Sequence, residues 1–147
     1  MNDWLSNGFL IEHASSPEEI AGLLSVIDRS LRDAATRGLS ADGRFTFAFN
    51  AALQCAVAAL AAEGYRPSRA SHHYYAIESL RFTLCESEKR IRMLDASRKK
   101  RAISVYEISG SVSDAEVSEI RAIAGDLRSK LDTWLRQRHP DLMRGSR

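Results

Sequence analysis

Phe45-Thr46-Phe47-Ala48-Phe49-Asn50-Ala51-Ala52-Leu53-Gln54-Cys55-Ala56-Val57-Ala58-Ala59-Leu60-Ala61-Ala62 is the stretch on which the fold turns. Alanine and leucine favour the helical state, because neither loses much freedom in it. The apolar residues surround most of a helical cylinder and leave no solvent face. A helix apolar nearly all round belongs at the buried centre of a bundle. With Ser40 before it and Gly64 after it, the pattern predicts a helix over residues 41–63.

Helices flank it on both sides. Ser16-Pro17-Glu18-Glu19 offers a capping hydroxyl, a proline at the first helical position and a glutamate placed to close a capping box. The helix it opens carries Ile20, Leu23, Leu24, Ile27 and Leu31 on one face and stops near Gly38. Gly64-Tyr65-Arg66-Pro67-Ser68 reads as a loop. A third helix is expected over 71–84, with His73, Ile77, Leu80 and Leu84 on one face, and a fourth over about 86–106. A turn at Ile108-Ser109-Gly110 precedes a second capping box, Ser113-Asp114-Ala115-Glu116. This opens a last helix with Val117, Ile120, Ala124, Leu127, Leu131 and Trp134 on one stripe, ending near His139-Pro140.

Residues 1–15 are expected to form an N-terminal arm, adding a short helix or a docked segment around Trp4 and Phe9, and 141–147 a frayed basic tail. Gly22 and Gly125 fall inside predicted helices, where each costs about 1 kcal/mol relative to alanine. Close helix–helix approach is the expected compensation. No strand alternation is sustained. The expected fold is all-α: an up-and-down antiparallel bundle of about five helices, one domain over 1–147.

Bulk composition narrows the function classes. Of the 147 residues 44% are hydrophobic and 27% charged, which suits a globular domain. The net charge of +2 marks no nucleic-acid binder, so such a role must rest on local clustering. Met1-Asn2-Asp3-Trp4-Leu5 lacks the pattern of a signal peptide, and no uninterrupted apolar run reaches membrane-spanning length. Cys55 and Cys85 fit buried thiols in a reducing compartment. A cytoplasmic protein with no membrane association is expected.

Charge clusters in one place. Lys89, Arg90, Arg92, Arg98, Lys99, Lys100 and Arg101 stand against the single Asp95. Ile91, Leu94, Arg98, Arg101 and Val105 follow at helical steps, so the face due to enter the core changes from aliphatic to arginine and back. An arginine there needs a carboxylate, a carbonyl or a phosphate. Arg98 and Arg101 therefore line a polar groove, a subunit interface or an anion site. Lys99, Ala102 and Tyr106 form the adjacent stripe. Guanidinium forks and a phenol suit phosphate oxygens, and would serve a structural salt-bridge network equally well.

Arg98-Lys99-Lys100-Arg101-Ala102-Ile103-Ser104-Val105-Tyr106-Glu107, preceded by His72-His73-Tyr74-Tyr75-Ala76-Ile77-Glu78-Ser79-Leu80, resembles the HEPN superfamily. The resemblance implies an up-and-down bundle paired as a homodimer across the basic helix. It also implies metal-independent endoribonuclease chemistry in many members, often as toxins of toxin–antitoxin modules partnered with a small nucleotidyltransferase. The family signature is an arginine, four to six residues, then histidine, with a tyrosine two residues later. Placing that tyrosine at Tyr106 puts Ser104 where the histidine belongs, with Arg98 in the arginine role and Arg101 as its alternate. Serine cannot act as an acid or base near neutrality, and losing such help costs about 10²–10⁴ in rate.

One other segment matches the spacing: Arg66 to His72 or His73, at a loop-to-helix junction. His73 is expected as a hydrogen-bonded core residue and His72 as solvated; the pair Tyr74-Tyr75 could stack bases, but one face of that helix is core, which favours packing. His13 and His139 have no partners that suggest a metal, and there is no Gly-rich phosphate loop, GxSxG elbow or zinc-spaced cluster. No metal or cofactor is expected. The functional expectation is a non-catalytic dimeric interaction or RNA/phosphate-binding module of a toxin–antitoxin-type system, binding through Arg98, Lys99, Arg101 and Tyr106. The alternative is a metal-independent endoribonuclease toxin, with Arg98, Arg101, Ser104 and Tyr106 as catalytic candidates at a dimer groove. A small nucleotide binder is a third possibility.

Overall fold

The computed structural model describes residues 1–69, 72–106 and 112–143, with backbone alone for 102–106. Its helices are α1 (Asn2–Ser6), α2 (Pro17–Ala34), α3 (Ala41–Ala62), α4 (His72–Ser79), α5 (Glu88–Tyr106) and α6 (Asp114–Arg138). Two short strands, β1 (Leu10–Glu12) and β2 (Tyr65–Pro67), and a 3-10 turn (Pro140–Met143) complete the described chain. The fold is a predominantly all-α bundle.

Local chemistry sets the helix starts. The Ser16 hydroxyl accepts from the Glu19 backbone N–H and the Ser40 hydroxyl from that of Gly43. At α6 the capping box is complete: Ser113 accepts from the Glu116 N–H while the Glu116 carboxylate accepts from the Ser113 N–H at 3.0 Å. At α2 no such box closes. The Glu19 carboxylate is taken instead by His13 Nε2 at 2.7 Å.

Ion pairs fix the helix directions. Arg44, near the start of α3, meets Asp114 at the start of α6 at 3.1 Å. Glu63, just past the end of α3, meets Arg138 at 3.0 Å and His139 at 2.6 Å beyond the end of α6. These two helices therefore run parallel. Between α5 and α6 the register is reversed: Lys100 reaches Glu116 at 2.7 Å while Arg90 reaches Asp126. A short connection over 35–40 folds α3 back along α2. The four long helices thus alternate up and down, with α4 as a short link between α3 and α5.

Helix α3 is the centre, as its composition predicts. Phe49, Ala52, Cys55, Ala56, Ala59 and Leu60 are each no more than 1% exposed. Its alanines let α2 and α6 approach closely, and Ile27 and Leu127 from those helices are fully buried. By length and a mean hydropathy of 1.6, α3 would suffice to cross a membrane, although polar residues interrupt its apolar run, and most of it lies inside the bundle. Its apolar surface is covered by its own neighbours.

Several expectations are corrected. Residues 64–68 are not simply a loop: β2 pairs antiparallel with β1, setting Leu10 against Pro67 and Glu12 against Tyr65. Three-residue strands are too short to show alternation in a sequence. Gly64, at φ +95°, makes the turn out of α3 into this ribbon. The arm is ordered through α1 and β1, and the tail begins with the 3-10 turn, where Met143 is buried. Helix α4 ends at Ser79, short of the expected 84, where the Ser79 hydroxyl donates to the Ala76 carbonyl at 2.6 Å. Cys85 is exposed, not buried, in a left-handed conformation at φ +54°. A Cβ on Gly22 or Gly125 would meet nothing within 4 Å, so neither glycine serves close helix approach. The expected turn at 108–110 and residues 144–147 lie outside the described residues.

Candidate anion-binding site

Helix α5 carries the basic run along a face that packs on α3 and α4. Ile91 and Leu94 are 1% exposed and anchor its first half in the core. One and two turns further on, Arg98 and Arg101 are half-buried, so the aliphatic seam gives way to guanidinium as the spacing predicts.

The four cations have different surroundings. Arg98 Nε donates to Asp95 Oδ1 at 2.8 Å, and Lys99 Nζ lies 3.5 Å from the other carboxylate oxygen. Lys100 ties α5 to α6 through Glu116, whose carboxyl is held below its usual range by Lys100 and by the Ser113 backbone. Arg101 is the exception. Among the described residues it has no carboxylate partner, and its Nε is shut from solvent with no acceptor. Its guanidinium carbon lies 5.7 Å from the centre of the Phe49 ring on α3. A buried unpaired donor costs about 1–3 kcal/mol. The run is thus partly a salt-bridge network, as the bland alternative holds, and partly an uncompensated charge.

Helix α4 brings side chains to this place that the sequence assigns to packing or solvent. His73 is half-buried, and its pKa is lowered to about 4 by burial first, then by the charges of His72, Arg101 and Arg98. Its ring makes an edge contact with that of His72, 3.9 Å between centroids, and His72 Nδ1 lies 3.3 Å from the Arg69 carbonyl. Tyr74 sits under the Arg98 guanidinium, 5.8 Å from ring centre to carbon, and is 37% exposed. Glu78, the nearest strong influence, pushes its phenol pKa upward. Among the described residues the His73 ring has no hydrogen-bond partner, and it stands as a half-buried neutral imidazole among cations.

The site joins Arg98, Arg101, His72, His73 and Tyr74, with Lys99 at its rim. Comparison with family models, curated proteins and solved structures returned no match. Arg66 stands apart, exposed on β2 opposite Ile11, and no described contact joins it to His72 or His73. The side chains of Ser104 and Tyr106 lie outside the described residues, although both positions fall on α5. Among the described residues no three metal-ligating side chains come together. Two grooves open along α6, of about 620 Å³ beside Phe82 and Trp134 and about 780 Å³ beside Met93 and Ile123. Neither of these two grooves is lined by the basic site.

What such a patch can do chemically is bind an oxyanion. A guanidinium lacking a carboxylate partner among the described residues, a second one held by Asp95, and a neutral imidazole suit the oxygens of a phosphodiester. The sequence singles out His73 and Tyr74 but not their place beside Arg98 and Arg101, because nothing within α4 reveals that α5 lies against it.

Proposed function

We propose that this chain is a HEPN-like helical module that binds RNA through phosphate contacts at Arg98, Arg101 and His73, in a toxin–antitoxin-type setting. The observation that carries this reading is Arg101, half-buried beside a neutral histidine with no anionic partner among the described residues. Lys99, with its side chain 66% exposed, adds a mobile charge at the rim. The wider resemblance adds a homodimer formed across α5 and a nucleotidyltransferase-type partner protein.

Fluorescence anisotropy with a labelled single-stranded RNA tests the binding. Arg101→Ala is expected to weaken it about ten-fold or more, with a shallower dependence on salt. Absence of binding in the wild-type protein, or identical affinity in the variant, overturns the proposal. Sedimentation velocity of wild type and Arg101→Glu tests the dimer, which is expected to dissociate in the variant.

Endoribonuclease activity is the second reading, favoured by one specific observation. His72 and His73 stand beside Arg98 and Arg101, where Ser104 leaves the helix motif without a histidine. With a pKa of about 4 a free His73 is a weak general base at neutral pH, so binding ranks above cutting. Incubation of total RNA with wild type and His73→Ala decides it: cleavage in the first and none in the second supports the nuclease.

A further inference from the structure

The aromatic residues of α4 are divided between two tasks, and one of them is unexplained by packing. Tyr75 is locked in place. The Phe9 ring stacks on it at 4.4 Å and 13°, and Trp4 meets it edge-on at 5.3 Å. Both partners come from the N-terminal arm, which β1–β2 pairing holds against the bundle. Tyr74 stands at 89° to Tyr75, with centroids 5.1 Å apart, and is directed to the other side. There it meets Arg98 and retains 37% exposure, one of the few large hydrophobic residues so exposed among the described residues.

We propose that Tyr74 is a stacking platform for an unpaired nucleobase, and that the ligand of the basic patch is single-stranded nucleic acid. The proposal rests on the RNA-binding reading above and adds a base site to its phosphate site. A phosphate held by Arg98 and Arg101 places the attached nucleotide over α4, within reach of the ring beneath Arg98. Every base has a π face, so stacking on a tyrosine tolerates any sequence but requires that the base be unpaired. Bases inside a duplex are already stacked and cannot use the ring. Tyr75, held by Phe9 and Trp4, meets Tyr74 edge-on and supports its position. Arg98 contributes to both functions, by its charge to phosphate and by cation–π contact to the ring.

Three fluorescein-labelled probes of equal phosphate number separate the base site from the phosphate site: a single-stranded RNA dodecamer, the same dodecamer lacking its bases, and an RNA duplex. Wild-type protein is expected to bind the base-bearing strand about ten-fold tighter than the other two. Tyr74→Ala is expected to lose that preference and keep its salt dependence, while Tyr74→Phe retains both. Arg101→Ala should weaken all three probes alike. Equal affinity for the base-bearing and base-less strands, or a preference that survives Tyr74→Ala, overturns the platform and leaves the phosphate site standing. Failure of the wild-type protein to bind any probe overturns both, and points to a protein partner for this surface. If Tyr74→Ala does not fold, the comparison of probes on the wild-type protein still decides.

Discussion

The guanidinium carbon of Arg101 lies 5.7 Å from the centre of the Phe49 ring, while its buried Nε has no acceptor among the described residues. A charge is thereby held against the most buried helix of the bundle with nothing in the described chain to neutralise it. Replacing it removes a cost of folding and, under the proposed function, a determinant of binding as well. Arg101→Met preserves most of the aliphatic packing, so stability in a urea melt is expected to hold or rise by up to about 1 kcal/mol. RNA affinity is expected to fall about ten-fold in the same variant. A loss of stability beyond about 2 kcal/mol would show the guanidinium to be structural.

His73 makes the protein acid-sensitive in a defined window. Its folded pKa of about 4 lies below the ordinary 6.5, so between those values the unfolded chain binds more protons. Stability therefore falls as pH drops through that window. Thermal melts of His73→Gln against wild type should show the loss of this dependence. Glu63, whose carboxyl is held low by Arg138 and His139, adds a separate loss below its ordinary 4.5. Its contribution persists in the His73 variant.

Ligand binding should reverse the sign for His73. A phosphate beside the imidazole favours its protonated form, so binding takes up a proton and tightens as pH falls from about 7 towards 5. Anisotropy titrations across that range check it. Affinity independent of pH, with Arg101 still required, would remove His73 from the phosphate site.

The two thiols should react very differently. Cys85 is exposed, whereas Cys55 is buried in α3 and its pKa is pushed up to about 12 by burial. Iodoacetamide under native conditions is expected to add one label, at Cys85, and a second only after denaturation. Peptide mass spectrometry reads the outcome directly.

Removing the α6 cap should affect two helices. Ser113→Ala deletes a hydroxyl that accepts from the Glu116 N–H, at a cost of about 1 kcal/mol. Glu116 also receives Lys100 from α5, so Glu116→Ala releases both the cap and the interhelical tie. Its loss in a denaturant melt is expected to exceed that of Ser113→Ala. Equal losses would show that the tie to α5 contributes nothing measurable.

Residues 45–62 set the centre of the architecture, because a helix apolar nearly all round needs an apolar covering, which the amphipathic helices on either side of it in the sequence supply. The caps at Ser16, Ser40 and Ser113 likewise set the helix starts from local chemistry, since a hydroxyl and an N–H three residues apart need no distant partner. What escaped the sequence are features made by contacts between distant segments. The β1–β2 ribbon is held by pairing across about fifty residues of chain, and the exposure of Cys85 follows from the early end of α4. The same division runs through the candidate site. The spacing of Arg98 and Arg101 on α5 shows that charge must enter a packed face. Only the tertiary structure decides that Lys100 and Arg98 find carboxylates, that Arg101 finds none among the described residues, and that His73 and Tyr74 stand beside these arginines. Charge compensation and desolvation depend on distances between helices, and no periodicity within one helix encodes them.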